Sequence, residues 1–162
     1  MKEGHRYWMG VLAIIFLGVT FIVAGTGKLL AESKAFESLV SLGFLPQSFA
    51  EVIYTGLPYI EIAVGGLLIL GVAVKFAASV SALLIMGFMT SNVLMIYLGY
   101  GAEPCGGCFG VAGGLTAIAA LTMNGIMAMM VAVIFICYQG NFLNIVPWFL
   151  KTEHTVEFAG RV

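Results

Sequence analysis

Two cysteines are the residues whose chemistry the sequence signals most directly. Cys105 and Cys108 stand on either side of two glycines. This C-x-x-C spacing lets two thiols close into a disulfide, and the glycines allow the tight turn that closure requires. Cys108 is also expected just before a helix, where the positive end of the helix dipole stabilises a thiolate. The pair therefore predicts reversible thiol–disulfide exchange, and a fixed disulfide that pins a loop is the alternative.

Three polar residues in apolar surroundings are the next candidates. Glu61 lies inside an apolar stretch, where a carboxyl group costs a few kcal/mol unless it is partnered or protonated. Lys28 closes an earlier apolar stretch at a similar depth, so the two residues can pair. Asn92 falls at a comparable depth in a third stretch. Because these residues and the cysteines come from four segments, we expect a common pocket. The alternative is that the ion pair only locks two helices together and the asparagine only joins helices.

The elements that must position these residues are membrane-spanning helices. Hydrophobic residues make up 61% of the chain and charged residues 9%, and the mean hydropathy is +1.07. A spanning helix needs about 20 mostly apolar residues. The sequence predicts an all-α integral membrane protein, a single four-transmembrane-helix bundle. Its spans are expected at about 7–27, 52–74, 76–98 and 111–138.

The connections between these spans differ in character. Residues 28–51 mix polar and apolar side chains, which indicates a short amphipathic segment at the membrane interface. The second and third spans meet at Lys75 and must form a tight hairpin. The cysteines fall in the connection 99–110. Beyond the fourth span, residues 144–151 include Trp148 and suit an interfacial anchor.

The distribution of basic residues predicts the orientation. Five of the seven Lys and Arg residues fall on the termini and the short second loop, namely Lys2, Arg6, Lys75, Lys151 and Arg161. The positive-inside rule then places both termini in the cytoplasm and the cysteines on the oxidising side of the cytoplasmic (inner) membrane. The net charge of −1 and the lack of any basic cluster exclude nucleic acid as a partner. No His is expected beside the cysteines, which disfavours a metal site.

Four short motifs together resemble a known family. They are Ala-Gly-Thr-Gly-Lys-Leu ending at Leu29, Leu-Pro-Tyr-Ile-Glu ending at Glu61, Asn92, and Cys-Gly-Gly-Cys-Phe-Gly ending at Gly110. Their order and spacing resemble the DoxX-like superfamily, specifically its methylamine-utilisation MauE branch. The resemblance implies a four-helix inner-membrane protein. It also implies a role in maturing the disulfide-rich small subunit of methylamine dehydrogenase, alongside a thioredoxin-like partner.

The cysteine motif departs from the branch pattern C-x-C-F-G by one additional glycine. The resulting C-x-x-C is similar to that of vitamin K epoxide reductase and DsbB-type enzymes, an analogy that suggests a quinone as electron acceptor. The leading hypothesis is a membrane thiol–disulfide oxidoreductase with catalytic Cys105 and Cys108 and a pocket shaped by Lys28, Glu61 and Asn92. The competing hypotheses are a non-catalytic membrane subunit or assembly factor of a larger complex and, with less support, a pathway for a small solute or ion.

Overall fold

The described part of the chain consists of four helices. A computed structural model describes residues 2–30, 47–99 and 116–138. These residues form α1 (Lys2–Leu30), α2 (Gln47–Leu70), α3 (Val74–Tyr97) and α4 (Ala117–Cys137). The all-α class predicted from the sequence is therefore confirmed.

The helices pack in a ring in chain order. The main contacts join α1 to α2, α2 to α3, α3 to α4, and α4 back to α1, so that α2 and α4 occupy opposite corners. Buried side chains recur every three or four positions, as expected for one inward face of a helix. On α3 this face carries Val74, Ala77, Ala78, Ser81, Ile85, Asn92 and Met95, and on α4 it carries Ala117, Ala120, Asn124, Met127, Val131 and Ile134.

The turn between α2 and α3 is only three residues long. Gly71 has a φ of 70° and donates to the Leu68 carbonyl, while Val72 donates to the Leu67 carbonyl, which is the hydrogen-bond pattern of a Schellman motif. Ala73, with a φ of 47°, also adopts the left-handed conformation before α3 begins. The tight hairpin expected from the sequence is present.

Three of the helices are long and apolar enough to cross a membrane. They contain the stretches Arg6–Leu30, Val74–Tyr97 and Ala117–Cys137. In α2 the apolar run among the residues whose side chains are described is shorter, Thr55–Leu70. Many large apolar side chains face outward from the bundle, which suits contact with lipid.

Helix boundaries differ from the expected ones at several ends. The first helix extends past its predicted span of 7–27 in both directions. Thr116 is the N-cap of α4 and its hydroxyl accepts a hydrogen bond from the Ala119 amide at 3.3 Å, so α4 begins six residues after the predicted start at 111. The amphipathic segment expected around 31–46, the two candidate cysteines and the interfacial segment 144–151 lie outside the described residues.

Candidate functional site

Three glycines bring α1 and α2 into backbone contact and thereby position Glu61. A Cβ atom added at Gly25 would lie 2.7 Å from the Pro58 carbonyl oxygen and 3.2 Å from Glu61 Cβ. One added at Gly65 would lie 2.7 Å from the Gly18 carbonyl oxygen. Small residues at such positions allow helices in a membrane to approach closely. The contact between the two helices, the α1–α2 seam, therefore holds Glu61 directly against α1.

The carboxylate of Glu61 forms a buried ion pair with Lys28. Lys28 lies in the last turn of α1. Its ammonium group donates a hydrogen bond to Glu61 Oε1. The two side chains are only 6% and 0% exposed. The pairing expected from the sequence is thus present, while its functional role stays a hypothesis.

An aromatic ring from α3 covers the same ammonium group. The Lys28 Nζ atom lies 4.2 Å from the centre of the Phe88 ring. A cation over an aromatic face is stabilised by the electrons of the ring, and more so where water is excluded. Phe88 is therefore a third member of the cluster, joining α3 to the ion pair between α1 and α2.

Asn92 is the remaining intramembrane residue predicted for the site. It lies four positions after Phe88, hence on the same face of α3 one turn further along, and it is 1% exposed. The structure places it on the inward face of the bundle beside the residue that covers Lys28. Whether it contributes to a pocket stays a prediction.

Two inward-facing residues of this region were not identified from the sequence. Phe88 has no signal that separates it from an ordinary apolar side chain. Asn124 has one, because it is a lone amide in the middle of the apolar helix α4. It is 2% exposed, and its Nδ2 atom has no hydrogen-bond partner among the residues described. Glu61 Oε2 is likewise buried without such a partner.

The catalytic candidates Cys105 and Cys108 fall in the connection between the end of α3 and the start of α4. Both cysteines lie outside the described residues, and their catalytic role stays a prediction. Since α4 begins at Ala117, Cys108 precedes its first residue by nine positions along the chain. The expectation that a helix terminus stabilises a Cys108 thiolate stays a prediction, because Cys108 lies outside the described residues.

The helices and the buried pair together define the class of the protein. Apolar helices long enough to span a bilayer, a lipid-suited surface and an interior ion pair are those of a multi-pass membrane protein. The family model of the methylamine utilisation protein MauE matches residues 6–137. The chain belongs to the MauE family and so to the membrane proteins involved in methylamine utilisation, as the sequence motifs predicted.

Other comparisons add no further relative. No curated protein and no solved structure matches the chain. The wider relationship to the DoxX-like superfamily stays a prediction from the motifs. Within residues 2–30, 47–99 and 116–138, no three His, Cys, Asp or Glu side chains come together in a way that could hold a metal ion.

Proposed function

We propose that this protein is a thiol–disulfide redox protein of the cytoplasmic membrane. Its role is to support disulfide formation in, or maturation of, an extracytoplasmic enzyme of methylamine utilisation. The observation that carries the proposal is the C-x-x-C pair, Cys105 and Cys108, in a chain whose residues 6–137 match the MauE family. A connection between two apolar helices is a suitable place for such a pair because a soluble partner can reach it.

The proposed topology has four crossings with both termini in the cytoplasm. The whole of α2, 24 residues, has a length of about 36 Å and so reaches across a hydrocarbon core of about 30 Å. Exposed Trp8 near the start of α1 and exposed Tyr97 at the end of α3 support this placement, since aromatic residues favour the two membrane surfaces. The distribution of basic residues supplies the orientation.

In the proposed reaction, the Cys105–Cys108 disulfide accepts two electrons from a reduced thioredoxin-like protein. A thiolate of that partner attacks one sulfur, a mixed disulfide forms, and the second partner thiol releases an oxidised partner and a reduced C-x-x-C pair. A membrane quinone would supply the electron sink, taking up two electrons and two protons. Of the described residues, Lys28 and Glu61 are the buried charged groups, and they could exchange protons with the quinone. Asn92 lies on the inward face of α3.

Trapping the mixed disulfide tests this proposal. In the reverse direction, a Cys105 thiolate attacks the disulfide of the oxidised partner, a partner thiolate leaves, and Cys108 resolves the mixed disulfide. Cys108→Ala removes that resolving thiol, so we expect a covalent complex through Cys105 with the oxidised thioredoxin-like protein, seen as a reducible band on non-reducing gels after acid quench. Cys137→Ala is the matched control, because Cys137 lies at the far end of α4 and should leave the band pattern unchanged.

The opposite result favours the competing function. If the Cys105→Ala and Cys108→Ala variants both support full maturation of the client enzyme and neither forms a mixed disulfide, the redox proposal fails. A non-catalytic assembly factor with a structural disulfide then takes its place.

A further inference from the structure

Three of the helices carry exposed hydroxyl groups that are satisfied within the same helix. Each donates a hydrogen bond to the carbonyl of a residue three or four positions earlier, namely Thr20 of α1, Thr90 of α3 and Thr122 of α4. Such a bond allows a hydroxyl group to face hydrocarbon without an unpaired donor. The outward faces of α1, α3 and α4 at these positions therefore suit contact with lipid.

The outward face of α2 carries hydroxyl groups of a different kind. The Tyr59 side chain is 60% exposed. A tyrosine hydroxyl group stands at the far end of a rigid ring, away from the carbonyls of its own helix, and finds its partner elsewhere. Thr55, exposed one turn earlier, makes no hydrogen bond of the kind seen in the other helices with any residue that the structure describes. Hydrocarbon offers neither group a partner.

Tyr59 lies at the middle of α2. It follows Gln47 by 12 positions and precedes Leu70 by 11, so it is about 18 Å and about 16 Å from the two ends of the helix. In the proposed topology this is the centre of the hydrocarbon core, about 15 Å from either edge. A ring that extends one turn toward the start of the helix still keeps its hydroxyl group about 10 Å inside the core. Tyrosines favour the membrane surfaces instead, as exposed Tyr7 and Tyr97 near helix ends do.

The residues beside Tyr59 leave room for a second helix. Gly56 and Ala63 lie one turn before and one turn after it on the same side of α2. A Cβ atom added at Gly56 would meet nothing within 4 Å. Small residues allow two helices in a membrane to come close enough for hydrogen bonds between their side chains. The surface formed by Val52, Thr55, Gly56, Tyr59 and Ala63 is called the α2 outer face below.

The chemistry of the α2 outer face suits a second copy of the same face. None of its residues is charged, so two copies meet without electrostatic repulsion. Two copies have the same orientation in the membrane, and a two-fold axis along the membrane normal brings equivalent residues together. A tyrosine hydroxyl group both donates and accepts a hydrogen bond, so two Tyr59 hydroxyl groups satisfy each other at such an axis.

We propose that the protein forms a parallel homodimer through the α2 outer face, with the two Tyr59 hydroxyl groups hydrogen-bonded to each other. The Lys28–Glu61 ion pair stays inside each copy, because Glu61 is buried on the inward side of α2. The dimer rests on the proposed crossing of α2. It involves no cysteine, so it can be tested independently of the redox proposal.

Energy transfer between donor-labelled and acceptor-labelled copies of the full-length protein in lipid vesicles measures the dimer. Gly56→Leu fills the space beside Tyr59 and should abolish energy transfer at dilutions at which the unaltered protein still shows it. Gly87→Leu is the matched control, because a Cβ atom at Gly87 of α3 also meets nothing within 4 Å. The proposal is overturned if the unaltered protein shows only the energy transfer of random proximity, or if Gly56→Leu and Gly87→Leu behave alike.

A second variant removes the hydroxyl group alone. Tyr59→Phe should raise the dissociation constant of the dimer about 3- to 20-fold, the range expected for one hydrogen bond between helices in a membrane. Tyr97→Phe, at the exposed end of α3, should leave the dissociation constant unchanged. If Tyr59→Phe also leaves it unchanged, the two hydroxyl groups do not meet and the proposal is wrong.

Photo-crosslinking in native membranes identifies the partner. A benzophenone side chain introduced at Val52 of the full-length protein should crosslink to a second copy that carries a different tag. The same side chain at Met86, exposed on α3, controls for random collision. Crosslinking from Val52 to a different protein in place of the second copy, or an equal yield from Met86, would overturn the homodimer.

Discussion

The two ends of the bundle are built on different principles. The end near the α2–α3 turn, the apolar end, is filled by side chains such as Ala13, Leu68, Val74 and Ile134. The opposite end, the polar end, buries Lys28, Glu61, Asn92 and Asn124, with the partly buried Phe88 ring against the Lys28 ammonium group. At the apolar end, apolar side chains hold the helices together in lipid, and packing of this kind requires no polar partner. At the polar end, every buried polar group needs a partner. The polar end is therefore where function should be sought.

The largest expected effect comes from breaking the ion pair at the polar end. Glu61→Ala leaves the Lys28 ammonium buried without its counter-ion, and we expect a loss of about 3–5 kcal/mol in the free energy of unfolding. The double variant with Lys28→Met should recover part of that loss. Unfolding of the four proteins in detergent micelles measures the coupling. Glu51→Ala, at an exposed position of α2, is the control. Strictly additive losses would show that the two side chains do not interact.

The α1–α2 seam, which runs between the two ends, should be the next most sensitive. Gly65→Ala places a methyl group against the Gly18 carbonyl oxygen, so the two backbones must separate, at an expected cost of about 1–3 kcal/mol. The adjacent Gly66 offers a matched control, because a Cβ atom there meets nothing within 4 Å. We expect Gly66→Ala to be neutral or slightly stabilising in the same unfolding measurement. Equal effects of the two substitutions would contradict the close approach of the helices at Gly65.

A smaller effect is expected from the aromatic cover of the polar end. Phe88→Leu keeps an apolar side chain but removes the ring face over Lys28, and should cost about 0.5–2 kcal/mol. Part of this loss in the free energy of unfolding comes from the contact between the ring and the Lys28 ammonium group. That part should vanish when Phe88→Leu is made in the Lys28→Met background. Phe135→Leu, at a partly exposed position of α4, reports the cost of losing a ring elsewhere. If the loss is unchanged in the Lys28→Met background, the ring does not act on the cation.

The contrast between the ends also explains which features the sequence predicted. Lys28 and Glu61 could be paired in advance because two opposite charges in apolar helices have few inexpensive alternatives. Phe88 could not be identified because contact with a cation leaves no mark on composition or periodicity. Asn124 stood out only weakly, since one amide in an apolar helix most often serves as a link between helices.

Helix ends were predicted less well than helix interiors. The apolar residues from Val111 to Leu115 look like a continuation of the fourth helix, so the run of hydrophobicity gave no reason to stop at Thr116. The structure shows that the hydroxyl of Thr116 caps the helix instead. A threonine followed by an apolar run is a signal for a helix start, and here the length of the apolar run obscured it.

The three-residue turn between α2 and α3 has a consequence for how the chain is synthesised into a membrane. In the proposed topology α2 is the least able to insert alone, because it contains the carboxyl group of Glu61 and, in its interior, Pro58. The Schellman turn joins α2 to the strongly apolar α3 by only three residues, so the two helices cannot move far apart. The two helices must then enter the bilayer together as a hairpin, with α3 carrying the carboxyl group of α2 to the Lys28 side chain of α1, which was synthesised before it.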